Sequence, residues 1–149
     1  MIGLFIIAHA PLASALRAAS AHTYPEASAT VVAYDVPPGA RVEDYEGEAL
    51  RLLDSMGCAE VLILTDVFGA TPCNIARQLA DRPGVRAVAG ASVPMLWRVL
   101  NYRDRPVDEL VSIAIAGATQ GAMQVAAHRP QNQSQKRPGN DPDDRHHQQ

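Results

Sequence analysis

His9 and Asp66 are the residues best suited to chemistry, and each stands directly after a short apolar segment. Ile2–Ala8 precedes the histidine and Glu60–Thr65 precedes the aspartate. Both segments have the composition of strands in a sheet buried on two faces. Function in open α/β sheets gathers outside the carboxyl ends of the strands. Adjacent strand ends lie about 5 Å apart, so if these two strands are neighbours the Asp66 carboxylate reaches the His9 imidazole. A carboxylate that accepts a proton from one ring nitrogen fixes the tautomer and leaves the other nitrogen as an unprotonated nucleophile. Asp66 leads into the turn Phe68-Gly69-Ala70-Thr71-Pro72, which opens a helix. Exposed amides and the positive end of the helix dipole favour an anion there. Gly69 permits unusual backbone angles and the Thr71 hydroxyl adds a donor. A nucleophilic histidine beside an anion cradle points to phosphoryl transfer onto histidine. Carboxylates that could hold Mg²⁺ are not clustered, and this chemistry requires no metal or other cofactor.

Each of these residues also has an ordinary use. A histidine can end a strand as a plain polar residue, an aspartate can shape a turn, and Thr-Pro is a common helix start. Their convergence on one sheet edge is what favours the chemical reading. Composition narrows the alternatives. Twelve of the thirteen basic residues are arginine, and the single lysine is Lys136 in a polar C-terminal stretch. A Walker A lysine, a Schiff-base lysine and the supporting lysine of an aspartyl-phosphate receiver domain are thereby excluded from the body of the chain. Sixteen acidic residues leave a net charge of −3, which argues against non-specific nucleic-acid or membrane-surface binding. No apolar run reaches the ~18 residues of a membrane span. Cys58 and Cys73 are too few for a disulfide framework or a thiolate zinc site, and Cys73 is expected to be a small buried residue. The apolar N-terminus lacks a basic region and is interrupted by His9 and Pro11, so it does not read as a targeting segment and a cytoplasmic setting is expected.

The elements that must position these residues follow from hydrophobic periodicity. After the first strand, Pro11 fits a first helical turn, and Leu12, Ala15, Leu16 and Ala19 recur at helical spacing. Thr30–Val36 is a second strand, and Val42, Tyr45, Ala49, Leu52, Leu53 and Met56 mark an amphipathic helix stopped by Gly57. Thr71 is expected to cap a helix with Pro72 at its first position, carrying Ile75, Ala76 and Leu79 inward. Val85–Ala91 is a fourth strand, Ser92–Asn101 a short helix, and Val107–Ala118 a last helix ending near Gly117–Gly121. Periodicity leaves Ala122–Ala127 open between a fifth strand and a fraying helix end. Strand and helix alternate four times, the pattern of a parallel sheet covered by helices on both sides, a three-layer α/β/α architecture. At 47% hydrophobic, the chain can bury one ordinary core. Residues 1–127 are expected to form the domain and 128–149 a disordered polar tail. His146 and His147 lie in that tail, where too few partners accompany them for a metal site. Trp97 is expected to pack or to meet a partner, and His22 and His128 to be solvated.

Three stretches resemble a known family. Met1–His9, Leu64–Ala76 (LTDVFGATPCNIA) and Gly90–Leu96 (GASVPML) look like the signatures of the mannose-family enzyme IIA of the phosphoenolpyruvate-dependent sugar phosphotransferase system. The resemblance implies that His9 accepts a phosphoryl group from the phosphocarrier protein HPr, that Asp66 holds the imidazole, and that amides around Gly69, Ala70 and Thr71, with the Thr71 hydroxyl, stabilise the phosphate. It further implies onward transfer to a sugar-specific IIB component. It implies a homodimer in which a C-terminal antiparallel strand, here Ala122–Ala127, is exchanged between subunits. The sequence departs from the family pattern at Ala10 and Ala70, where glycine is usual, and at Ser92, where asparagine is usual. At the two alanines a Cβ resists positive φ, so the loop is expected to differ locally there. In many relatives a linker leads to a second domain that carries phosphate onward. Its absence after the tail points modestly to a stand-alone regulatory protein as the alternative. A dihydroxyacetone-kinase phosphocarrier subunit fits the Asp66–Pro72 turn less well, and a small-molecule-binding domain would leave His9 merely structural.

Overall fold

The opening apolar run becomes the central strand β1 (Gly3–His9), in which six of seven residues are buried. The computed structural model describes residues 1–126. After β1 come α1 (Leu12–Ser20), α2 (Pro25–Ala29), β2 (Val32–Val36) and α3 (Val42–Ser55). Then follow β3 (Val61–Thr65), α4 (Thr71–Leu79), β4 (Val85–Ala89), α5 (Val93–Asn101) and α6 (Val107–Gly121). The four strands form one parallel sheet in the order β2-β1-β3-β4. The chain therefore leaves β1 in one direction, to β2, and crosses back over it to β3. That reversal is a topological switch point, and it lies between β1 and β3.

Crossovers between parallel strands are right-handed, so the direction of travel decides which face each helix covers. Passage from β1 to β2 lays α1 on one face. Passage from β2 to β3 and on to β4 lays α3 and α4 on the other. The side chains sort accordingly, because successive residues of a strand face opposite ways. Leu4, Ile6 and Ala8 pack with Ala13 and Leu16 of α1 and with Met95, Leu96, Val99, Leu110 and Ala114 of α5 and α6. Phe5, Ile7 and Ile63 pack with Ala49 and Leu53 of α3 and Ile75, Ala76 and Leu79 of α4. The three-layer parallel architecture read from the sequence is the one observed, and strand limits differ from that reading by one or two residues.

Two differences stand out. The short α2 has no counterpart in the sequence reading, since five residues beginning at Pro25 are too few to show a period. The stretch 122–126 is exposed and forms no strand within the described residues of the single chain, and Ala127 lies outside them. The backbone at Ala122 is nonetheless extended, with φ −90° and ψ 107°. The chain reaches this point beside the start of α5, because α6 lies close against it: a Cβ on Gly117 would stand 3.1 Å from the Met95 Cα, and one on Gly121 would run into Pro94. The polar stretch 128–149, with Lys136, His128, His146 and His147, also lies outside the described residues.

Leu64 is fully buried on the α1/α5/α6 face of β3. Leu64→Ala is expected to lower unfolding free energy by about 2–5 kcal/mol, read as a shift of the denaturation midpoint with an unchanged slope against denaturant.

Candidate functional site

His9 is the last residue of β1, and Asp66 is the first residue after β3. Ile7 lies opposite Thr65 in the ladder, so both chains run off the sheet edge side by side. Each is held where it leaves. The Ala10 amide donates to the Val36 carbonyl at 2.8 Å, and the Gly90 amide donates to the Asp66 carbonyl at 2.9 Å. Asp66 Oδ2 accepts the His9 amide at 2.9 Å and faces His9 Nδ1 at 2.7 Å. Its Oδ1 accepts the Val67 amide at 2.8 Å. The two strand ends are therefore neighbours, and one carboxylate meets both the backbone and the ring of the histidine.

Burial alone would raise the Asp66 carboxyl, whose side chain is only 9% exposed. The His9 amide, the His9 ring and the Val67 amide outweigh burial and hold it below its ordinary value. At neutral pH Asp66 is thus an anion, which cannot donate, so the hydrogen in the short contact belongs to His9 Nδ1. In the neutral imidazole that assignment leaves the lone pair on Nε2. The His9 side chain is 43% exposed, enough for a reacting group to approach it.

The turn after Asp66 behaves differently from its sequence reading in three respects. Gly69 takes φ +87° with open space where a Cβ would be, as expected for this position. Ala70, however, sits at φ −78°, so the missing second glycine costs nothing. No described residue other than glycine has positive φ, so Ala10 is likewise unstrained. Second, the helix cap is Ala70; Thr71 is the first residue of α4 and Pro72 the second. The Thr71 hydroxyl is occupied elsewhere, donating to the Ala40 carbonyl at 3.2 Å. Third, the Ala70 amide closes the turn onto the Val67 carbonyl at 3.3 Å. The amides of Gly69, Thr71 and Cys73 have no acceptor among the described residues. These open N–H groups stand at the start of α4 and suit an anion. No hydrogen bond among the described residues joins His9 to Gly69, Ala70 or Thr71.

Other residues settle into structural positions. Ser92 caps α5, its hydroxyl accepting the Met95 amide at 3.3 Å, so the departure from asparagine keeps a capping residue. Cys73 is buried and Cys58 exposed. Trp97 meets Tyr24 edge-on, with ring centroids 6.3 Å apart. No group of three or more His, Cys, Asp or Glu gathers as metal ligands among the described residues. Among them, too, no helix is long and apolar enough to cross a membrane.

Two residues near the strand ends escaped the sequence reading. Asp35, opposite Ala8 in the ladder, accepts the Ser14 amide at 3.1 Å and the Ser14 hydroxyl at 2.5 Å. It thereby anchors the first turn of α1 just beyond His9. Asn74 donates to the Gly69 carbonyl at 3.4 Å and steadies the turn. The position of Asp35 at the carboxyl end of β2 was the available signal, because every strand end at this edge is a candidate.

A family model described as PTS system fructose IIA component matches residues 3–114. Among solved structures, a mannose/sorbose specific IIA subunit of the phosphotransferase system from Enterococcus faecalis is 21% identical. It aligns over 87% of this chain and 98% of its own, with a TM-score of 0.78. A phosphotransferase system component EIIA from Streptococcus agalactiae is 23% identical over 83% of this chain and 97% of its own, with a TM-score of 0.74. A sigma-54 interaction domain protein from Enterococcus faecalis is 15% identical over 80% of this chain and 92% of its own, with a TM-score of 0.62. At these identities the likeness to solved structures carries the fold. A search of curated sequences returned no match.

The depressed Asp66 carboxyl links the site to stability. Its folded value lies below its unfolded value, so its contribution is complete above about pH 4 and is lost as pH falls through the depressed folded value. Melting curves of wild type and Asp66→Asn are therefore expected to differ most near neutrality and to converge in acid.

Proposed function

The chain belongs to the family described as PTS system fructose IIA component, and on that premise we propose that it is a phosphohistidine carrier of the phosphoenolpyruvate-dependent phosphotransferase system. It takes a phosphoryl group on His9 from the phosphocarrier protein HPr and passes it to a sugar-specific IIB component. The observation that carries this reading is the shared hold of Asp66 Oδ2 on the His9 amide and Nδ1, because it presents Nε2 as the nucleophile. The catalytic unit is the domain of residues 1–127, and its setting is cytoplasmic. No cofactor takes part, and the tail beyond it has no assigned role.

The chemistry follows from that tautomer. The Nε2 lone pair of His9 attacks the phosphorus of the donor's phosphohistidine. The new N–P bond forms as the donor's N–P bond breaks, and the electron pair of the broken bond returns to the donor imidazole. The His9 ring then carries a phosphoryl group on Nε2 and a hydrogen on Nδ1, and it gains positive character. Asp66 balances that charge through a contact already in place, so little reorganisation is needed. The amides of Gly69 and Thr71 receive the phosphoryl oxygens, and the Thr71 hydroxyl joins them by turning from Ala40. Ala70 contributes its small side chain and cap geometry, while its amide closes the turn. The reverse sequence hands the group to the IIB component. A second reading, in which charged His9 controls a regulatory partner instead of sugar uptake, is favoured by the fold shared with the sigma-54 interaction domain protein.

A homodimer is part of the proposal. The outer edge of β4 is unpaired among the described residues. Beside it runs a trough of about 330 Å³ whose walls include Thr65, Cys73, Ala80, Ala87 and Ala89. The buried Thr65 hydroxyl in that wall has no partner within the described residues. The extended stretch after α6 exposes Met123 at 76% and Val125 at 97%. Exchange of this stretch between two copies pairs the open edge and covers both apolar side chains. Val125→Asp is expected to shift the protein from dimer to monomer in sedimentation velocity, leaving the sheet intact by circular dichroism.

The carrier reading is tested by intact mass after incubation with phosphoenolpyruvate, enzyme I and HPr. The expected result is one acid-labile phosphate per chain, absent from His9→Ala and chased off by a IIB component. A folded protein that gains no phosphate contradicts the reading. A gain that no IIB component removes favours the regulatory alternative.

A further inference from the structure

Only Ala10 and Pro11 separate His9 from α1, and that helix brings no cap of its own. Its cap position is Pro11, which makes no side-chain hydrogen bond to it, and its first turn holds no acidic residue. A helix start presents N–H groups that its own backbone leaves open, and it favours an anion beside them. Here the anion comes from another strand. Asp35, next to last in β2, accepts the Ser14 amide on Oδ1 at 3.1 Å and the Ser14 hydroxyl on Oδ2 at 2.5 Å. Ser14 Oγ also lies 3.1 Å from the Pro11 carbonyl, but a hydroxyl has one hydrogen and the shorter contact to the carboxylate claims it. Among the described residues Asp35 has no cationic partner. The Ala10 amide is held in turn by the Val36 carbonyl at 2.8 Å. Among the described residues, then, every hydrogen bond from 10–14 to another element ends on Asp35 or Val36.

From this clamp we propose that Asp35 is a positioning residue for phosphoryl transfer at His9, acting through the first turn of α1. The inference rests on the carrier reading of His9 and adds a residue to it. His9 leaves the sheet between two neighbouring strands. The β3 side holds its amide and its ring through Asp66. The β2 side holds the chain that follows: Val36, opposite His9 in the ladder, takes Ala10, and Asp35, opposite Ala8, takes Ser14. The direction of the ring follows the direction of its Cα–Cβ bond, which the backbone on both sides of His9 sets. Without Asp35, two donors of the first turn lose their acceptor and the turn frays. The Ala10–Val36 hydrogen bond alone then holds the chain after His9. The 2.7 Å contact between Nδ1 and Asp66 loosens, and Nε2 samples directions other than the line of transfer. Transfer is steep in such errors, since a misplacement of ~1 Å can cost about a hundredfold in rate. Asp35 itself stays apart from the reacting atoms, because its side-chain hydrogen bonds among the described residues all go to Ser14.

The test compares wild type with Asp35→Ala, Asp35→Asn and Ser14→Ala, each checked for folding by circular dichroism. Two phosphoryl donors are used, phosphorylated HPr and phosphoramidate, a small N–P compound. Asp35→Ala is expected to slow His9 phosphorylation about tenfold with both donors, through kcat and with KM for HPr unchanged. In ¹⁵N NMR of the uncharged protein, its His9 ring is expected to lose part of the Nδ1–H preference that Asp66 imposes. Asp35→Asn keeps an oxygen for the Ser14 amide and is expected to restore most of the rate. Ser14→Ala removes the hydroxyl but keeps the amide contact, so its loss is smaller, and combined with Asp35→Ala it adds nothing further. An Asp35→Ala protein that melts lower but charges at the wild-type rate, with the wild-type tautomer, overturns the inference, since the clamp then serves the fold alone. A loss confined to HPr and to KM overturns it as well, because Asp35 would then act on the partner. Asp35→Asn as slow as Asp35→Ala overturns it too, since charge and not the cap would then count. If Asp35→Ala does not fold, Ser14→Ala carries the comparison, and a wild-type rate and tautomer there overturn the inference. Wild type that takes phosphate from neither donor overturns the carrier reading and this inference together.

Discussion

Asp66 Oδ2 serves two donors on a single residue of the neighbouring strand, the amide and the Nδ1 of His9. Such a contact exists only if β1 and β3 are adjacent, parallel and in a register that ends them together. The order β2-β1-β3-β4 meets those conditions by placing the chain reversal between β1 and β3. The apolar character of both strands follows, since a strand at the centre of such a sheet is covered on both faces. Phe5 and Ile7 look toward α3 and α4 while Leu4, Ile6 and Ala8 look the other way. The core therefore does more than supply stability: it fixes the separation of two strand ends to the length of a hydrogen bond.

The electrostatic balance at the site depends on the same arrangement. Taking a carboxylate largely out of water opposes its ionisation, and three N–H donors reverse that preference. Two of the three come from backbone that the sheet and the turn have already ordered, so the anion is prepared before any substrate arrives. The turn that follows leaves the Gly69 and Thr71 amides without acceptors at a helix start. A nitrogen lone pair, a fixed anion behind it and open amides nearby form a set whose parts share one sheet edge.

Much of this was legible in the sequence because it is written in local pattern. Continuous apolar runs marked buried strands, and the residues directly after them marked the carboxyl edge of the sheet, where His9, Asp66 and Gly69 stand. What the sequence could not show depends on contacts between distant residues. The Thr71 hydroxyl binds Ala40, 31 positions away, so the helix cap moved to Ala70. Asp35 reaches Ser14 across 21 positions to hold the start of α1. The concern over Ala70 came from assuming that the turn needs two residues at positive φ, whereas one glycine supplies the whole reversal. Periodicity left 122–127 open for a physical reason as well: six residues, three of them alanine, are too short a run to separate a strand from a helix end.

The central claim is that Asp66 holds the proton on Nδ1 and leaves Nε2 to react. Its most direct test is ¹⁵N NMR of the His9 imidazole, with and without phosphorylation. The account predicts the Nδ1–H tautomer in the free protein, a phosphoryl group on Nε2 after charging, and loss of the tautomer preference in Asp66→Asn. An Nε2–H tautomer in the free protein, or a phosphoryl group on Nδ1, would contradict it.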